Sequence, residues 1–122
     1  MIITYNSIPY DIGLGATFSG ANEKIEASIR TASGLKFSQT WLVTLPTREY
    51  NHPRMTLENL GNLQDVHSLA GTTGELSIED DSEATFQATF SEKKLGWTYL
   101  EENSVDGVWT SIFNVSFKIE LI

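Results

Sequence analysis

The last fourteen residues, Trp109 to Ile122, alternate between two faces. Trp109, Phe113, Val115, Phe117, Ile119 and Leu121 fall on one side. Thr110, Asn114, Ser116, Lys118 and Glu120 fall on the other, with Ile112 and Ile122 as exceptions. A period of two belongs to a strand with one wet face, not to a helix. At about 3.3 Å per residue the stretch would run roughly 46 Å if straight. An ordinary strand has about 5–6 residues, so this one is expected to bend around a barrel or cross two sheets.

The same alternation recurs upstream. Thr4 to Tyr10 reads as a short hairpin with Asn6 and Ser7 at its turn. Pro9 suits an edge strand there, because it cannot donate to a ladder. Ile25, Ala27 and Ile29 oppose Lys24, Glu26, Ser28 and Arg30; Phe37, Trp41, Val43 and Leu45 then share one face, after a Ser33-Gly34 turn. These two runs predict an antiparallel hairpin closed off by Pro46. Gly71 to Gly74 is a turn, followed by a strand from Glu75 to Glu79 with Leu76 and Ile78 inward. Asp80-Asp81-Ser82 turns the chain into a strand marked by Phe86, Ala88 and Phe90. From Leu95 to Glu101, Trp97, Tyr99 and Glu101 share a face that Leu100 opposes. Residues Glu102 to Gly107 read as a loop with an Asp-Gly turn.

One segment departs from this period. Leu57, Leu60, Leu63, Val66 and Leu69 recur at intervals of three, which drift about 60° per step around an α-helix. They predict one short helix from about Pro53 to His67, capped by Asn51 or His52, with Pro53 in its first turn and weakened at Gly61. The same letters resemble one copy of a leucine-rich repeat, but a solenoid needs about three or more copies. The fold expected is mainly β: an antiparallel β-sandwich or partly open β-barrel of about seven strands with one flanking helix, residues 1–122 forming one domain. Its expected core is Ile25, Ile29, Phe37, Trp41, Val43, Leu45, Leu57, Leu60, Leu76, Ile78, Phe86, Phe90, Phe113, Val115, Phe117 and Ile119.

Composition narrows the classes further. A hydrophobic content of 40% in 122 residues supports an independent core rather than disorder. With no cysteine there is no disulfide framework, thiolate nucleophile or cysteine-based zinc site. Met1-Ile2-Ile3-Thr4-Tyr5 lacks the charged-then-apolar order of a signal peptide, so a start without a processed leader is expected. No apolar run approaches the roughly 20 residues of a membrane helix. The net charge is −8, and its excess is local: from Met55 to Glu92 there is no Lys or Arg, against eight acids. An acidic surface argues against nucleic acid, whose phosphates demand basic patches. The acidic stretch reads as a solubilising face, with docking of a basic partner as the functional alternative.

Candidate chemistry is thin. His52 and His67 are the two histidines; His52 reads as a cap or surface residue and His67 as a complement to the helix C-terminal dipole. Neither sits in a nucleophile-elbow or metal-ligand spacing. Gly13-Leu14-Gly15 lacks the spacing of a phosphate loop and reads as a turn needing positive φ. The paired acids Asp80, Asp81, Glu83 and Glu101, Glu102 lie in polar turns, where solvent keeps a carboxylate ordinary; a glycosidase needs one of two with a raised pKa. Asp80-Asp81-Ser82-Glu83 clusters hard oxygens but lacks the one-three-five ligand order of an EF-hand. No cofactor is expected and no enzyme activity. The surface residues singled out are Trp97 and Tyr99, an exposed aromatic pair, with Glu79, Asp80, Asp81 and Glu83. Such a pair suits a protein interface; stacking on a sugar is the alternative.

The element order from Phe37 onward carries a resemblance. Phe37-Ser38-Gln39-Thr40-Trp41-Leu42-Val43-Thr44-Leu45 leads through a proline-bearing link into the Leu-rich helix. A Gly-rich turn, the strands around Glu75–Glu79 and Ala84–Phe90, Gly96-Trp97-Thr98-Tyr99 and the terminal strand from Trp109 follow. In about two-thirds of the chain this order resembles the small tail proteins of long-tailed bacteriophages, the minor tail, distal tail and tail-tube-like group. The resemblance implies a structural protein with no catalytic residues, forming rings, commonly six-fold, with itself and other tail proteins. It also implies a place in the virion tail after synthesis in the host bacterial cytoplasm. The acidic middle would then face a tube lumen or a basic neighbour.

Overall fold

A computed structural model describes residues 1–20, 22–30, 36–44, 47–81 and 84–122, with side chains described outside 22–30, 36–44 and 105. The strands are β1 (Ile2–Tyr5), β2 (Ile8–Asp11), β3 (Thr17–Ser19), β4 (Asn22–Arg30), β5 (Lys36–Thr44) and β6 (Thr47–Thr56). After helix α1 (Leu57–Ala70) come β7 (Leu76–Glu79), β8 (Thr85–Phe90), β9 (Gly96–Val105) and β10 (Val108–Leu121). Eight of them form one antiparallel sheet in the order β2-β1-β7-β8-β10-β6-β3, with β9 also on β10; β4 and β5 form a sheet of two. The fold is mainly β with one flanking helix, and the sheet is open, since β2 and β3 end its path unpaired to each other.

Strand β10 organises the sheet. Ile112, Phe113, Val115 and Ser116 are paired with both β6 and β9, and Ile119 and Glu120 with both β6 and β8. A strand has two edges, so β6 occupies one, and β9 and β8 divide the other end to end. This is how a fourteen-residue strand stays paired without a neighbour of matching length.

Directly opposed residues of an antiparallel ladder share a face. The pairs Ile3↔Ile78, Leu76↔Ala88, Ile119↔Phe90, Phe117↔Tyr50, Val115↔His52 and Phe113↔Met55 therefore build one continuous inner face. Helix α1 packs over it, chiefly against β1, β2, β6, β8 and β10. A slip of one residue in any ladder would turn that strand's apolar set outward. The two-residue turns reinforce the register. Asn6 and Ser7, and Asp106 and Gly107, all have positive φ, the geometry that matches strand twist.

The helix begins later than the sequence predicts. Pro53 lies within β6, and Thr56 is the cap, its hydroxyl accepting from the Asn59 amide at 3.4 Å. The reason is a bulge: Val115 opposes His52 and Phe113 opposes Met55, so β6 carries one residue more than β10 across this step. Pro53, with no N–H, sits in that irregular step. The bulge also breaks the alternation, placing two exposed residues between buried His52 and buried Met55, which hides the strand in the sequence.

Leu57 and Leu69 are exposed (54% and 62%), while Leu60, Leu63 and Val66 are buried; Leu57 is thus not a core residue. The drift explains it: with Leu63 central, Leu60 and Val66 lie about 60° to either side and Leu57 and Leu69 about 120°. Of the other expected core residues, Leu76, Ile78, Phe90, Phe113, Val115, Phe117 and Ile119 are buried and Phe86 is partly so. Ile25, Ile29, Phe37, Trp41 and Val43 lie on the paired β4 and β5, outside the described side chains, and Leu45 lies outside the described residues. Ile3, Ile12, Tyr50 and Met55 join the core.

Two glycines test this architecture. A Cβ on Gly61 meets nothing within 4 Å, whereas one on Gly74 would lie 2.6 Å from the Ala70 carbonyl oxygen. Gly61→Ala is expected to stabilise the fold by about 0.5–1 kcal/mol. Gly74→Ala should lower the melting temperature instead; thermal denaturation followed by circular dichroism checks both.

Candidate functional site

Segment 12–16 joins the two terminal strands of the sheet path and spans its open side. Its start is held by the Ile12 amide donating to the Met1 carbonyl at 3.1 Å and the Gly13 amide donating to Asp11 Oδ1 at 2.8 Å, and its end by the Asp81 carboxylate. Asp81 Oδ1 accepts from the Met1 ammonium at 2.8 Å, and Oδ2 accepts from the Gly15 and Ala16 amides at 2.9 and 3.1 Å. The ammonium also donates to the Gly13 carbonyl at 2.9 Å. Gly13 and Gly15 both have positive φ, as a turn of this shape requires. Burial alone would raise the Asp81 carboxyl. The Met1 ammonium and the two amides outweigh it and hold the group below the ordinary carboxylate range.

Beside this latch is a cavity of about 450 Å³, lined by Ala16, Thr17, Phe18, Tyr50, Asp80 and Asp81. Tyr50 stacks on Phe117 at 5.5 Å and meets Phe18 at 5.4 Å. Arg48 lies 4.6 Å from the Phe18 ring and 5.0 Å from the Phe86 ring. It thereby ties edge strand β3 to β8 through two cation–π contacts. Tyr50 and His52 are 1% and 3% exposed. Neither the Tyr50 hydroxyl nor either His52 ring nitrogen finds a hydrogen-bond partner among the described residues. Burial raises the Tyr50 phenol, with Arg48 opposing it. Burial also lowers the His52 imidazole; the Asp81 charge opposes that shift and the Met1 ammonium adds to it.

The acids expected at the surface are thus not one open face. Asp80 is buried, its Oδ1 accepting from the Ala84 amide at 3.2 Å, and Asp81 is committed to the latch. Glu79 ends β7 exposed, and Ser82 and Glu83 lie outside the described residues. No group of acids and histidines able to hold a metal ion occurs among the described residues. The expectation that turn carboxylates stay solvated is corrected at Asp80, which is buried, and the expectation that they stay ordinary is corrected at Asp81, which the ammonium and two amides hold low. His52 is a core residue and not a cap. His67 Nε2 donates to the Glu92 carbonyl at 2.9 Å, and its ring meets Phe90 edge-on at 4.8 Å, fastening the helix to β8.

The aromatic pair is where the sequence expects it. Trp97 and Tyr99 are about half exposed (51% and 52%), each set edge-on against Phe113 at 5.4 and 5.8 Å. Trp109 heads the apolar row of the last strand, which by alternation reads as core by default, yet it is 72% exposed. The β6 ladder on β10 begins only at Ile112, so the tip of the β9–β10 hairpin is a ribbon of two strands. A second bulge falls here: Ile112 opposes Glu101 and Phe113 opposes Tyr99, which leaves Leu100 unpaired. Consequently Glu101 leaves the Trp97–Tyr99 face and forms an ion pair with Arg54 at 2.7 Å. Trp109, opposite Ser104, joins the aromatic face instead. Trp97, Tyr99 and Trp109 thus extend the inner apolar face beyond its cover. Strand β9 carries no partner on its outer edge among the described residues. Set against protein-family models, curated proteins and solved structures, the chain matches none of them.

Asp81 and His52 both predict stability that is lost on acidification, in two different pH windows. Asp81→Asn should cost about 1–3 kcal/mol near neutral pH, the worth of a charged, partly buried hydrogen-bonded group. In the wild type that contribution is complete above about pH 4, the unfolded value, and is lost as the pH falls through the lower folded value. His52 favours the neutral, folded form. Stability should therefore fall as pH drops below about 6.5, where the unfolded chain takes up a proton, and His52→Leu should flatten that slope. Urea denaturation across pH 3 to 8 (roughly the span of these ordinary pKa values) reads both.

Proposed function

We propose that this chain is a non-enzymatic structural subunit of a bacteriophage or phage-like tail, at the tube, distal tail or baseplate hub. It assembles through protein–protein contacts as a ring, six-fold being the commonest closure in the group it resembles. The carrying observation is the uncovered aromatic face of the β9–β10 ribbon, formed by Trp97, Tyr99 and Trp109 beside a bare strand edge. Exposed aromatics at the end of a packed apolar face are what an interface buries. A bare edge is what a neighbouring strand covers. The remaining candidate groups serve the fold in this reading: His52 and Tyr50 are sealed in the core and Asp81 fastens the open side of the sheet. Its partners are further copies of itself and other tail proteins, and its place is the virion tail after synthesis in the host bacterial cytoplasm. Among the described residues, no helix is long and apolar enough to cross a membrane.

The exposure of Trp97 and Tyr99 also favours a second reading, a carbohydrate-binding module with those rings as a stacking platform. The two readings separate cleanly. For the tail subunit, negative-stain images should show closed rings. Light scattering should give a mass several times 13.6 kDa that Trp109→Ala reduces, and a strictly monomeric species at high concentration counts against the reading. For the carbohydrate module, a glycan array should give binding lost in Trp97→Ala, and silence across the array dismisses it.

A further inference from the structure

Two ribbons in this chain are incomplete in complementary ways. The β4–β5 ladder runs nine pairs, from Asn22↔Thr44 to Arg30↔Lys36, and joins no other strand among the described residues. A hairpin of two strands is marginal in water unless a third strand or a packed layer is added. Strand β9 offers ten residues whose outer edge has no partner among the described residues. The other edges of the large sheet are guarded: β2 has four residues and carries Pro9, and β3 has three residues. Short length and proline are the usual defences of an edge. Strand β9 has neither proline nor lysine. Its blunted positions are the Leu100 bulge and Ser104, whose amide donates to Asn103 Oδ1 at 2.8 Å.

Charge selects the occupant. Residues 96–112 carry Glu101, Glu102 and Asp106 and no base. Two such ribbons side by side would oppose like charges, which destabilises a ladder. Residues 22–44 carry Lys24, Arg30 and Lys36 against Glu23 and Glu26, an excess of base in a strongly acidic chain. We infer that the outer edge of β9 receives the β4–β5 hairpin of a second copy of this chain as an added strand. The inference rests on the self-assembly in the proposed function and not on the tail itself. A copy that donates its hairpin to one neighbour keeps its own β9 free for another. The contact is therefore heterologous and repeats until it closes.

The absence of cysteine makes the test direct. Glu102→Cys on β9 is combined with Ser28→Cys on β4, and separately with Ser38→Cys on β5, under mild oxidation. Ser28 and Ser38 face each other in the hairpin ladder, so the two combinations sample both of its strands. A chain with one cysteine stops at a dimer. Covalent trimers and larger species from either double variant are the expected result. Mixed dimers between single-cysteine chains should exceed homodimers by about tenfold, equivalent to about 1.4 kcal/mol of preference. A disulfide within one chain overturns the inference. So does an oligomer by light scattering that cross-links only through Glu102→Cys to itself, an outcome that leaves self-assembly standing. A monomer at every concentration overturns both. Circular dichroism matching the wild type shows that each variant is folded.

Discussion

Strand β10 must satisfy two edges over fourteen residues, and the architecture follows from how it does so. Strand β6 covers one edge from Ile112 to Glu120. The other edge is divided, β9 pairing with its first part and β8 with its last. Because β8 leads through β7 and β1 to β2, the divided edge sends the sheet body one way and the β9 ribbon another. The packed core forms where β10 has β6 beside it, from Ile112 onward, and α1 above. The ribbon forms where it has β9 alone. A shorter last strand would have given either the body or the ribbon, but not both from one ladder.

An open sheet must protect its ends, and here side chains do what a closing ladder would do in a barrel. The Asp81 carboxylate gathers the Met1 ammonium and the Gly15 and Ala16 amides. Arg48 spans from Phe18 on β3 to Phe86 on β8. These contacts let the β2–β3 connection cross the gap without burying unpaired backbone, at the cost of two polar side chains, Tyr50 and His52, enclosed beneath it. That cost fixes the acid side of the stability profile. The latch weakens when its carboxylate is protonated, and the imidazole resists taking up a proton in place.

Regular alternation made the fold legible wherever each residue met one residue across the ladder. The hairpin at Asn6-Ser7, the edge position of Pro9, the β4–β5 pairing and the inward Leu76 and Ile78 all followed from period and turn chemistry. Legibility failed at the two bulges. The extra residue near Pro53 disguised β6 as a polar link, hid Tyr50 and His52 and displaced the expected helix start. The extra residue at Leu100 moved Glu101 off the Trp97–Tyr99 face. A bulge is a property of two strands together, and its position is set by a partner far away in sequence. Trp109 failed for a related reason: alternation tells which side a residue faces, but not whether anything covers that side. Trp97 and Tyr99 were legible as exposed because no long apolar row accompanies them. The Asp81 latch left no local trace, since its partners lie at the other end of the chain.

That distinction between side and cover also explains why core and candidate interface are one feature. Phe113 packs with Met55 across the β6 ladder and supports Trp97 and Tyr99 edge-on across the β9 ladder. The inner face does not stop at the boundary of the folded body; only its covering stops. Extending a strand past its cover exposes apolar area on the order of 25 cal/mol for every Å² left in water. The arrangement is stable as drawn only because few residues are involved, and it becomes favourable when another surface completes the layer. Glu102, which shares the aromatic face, and Asp106 at the turn discourage the simplest completion, in which two identical ribbons meet. The physical demand is then for a partner that is apolar, extended and basic, and the chain itself contains one paired segment, 22–44, with an excess of base.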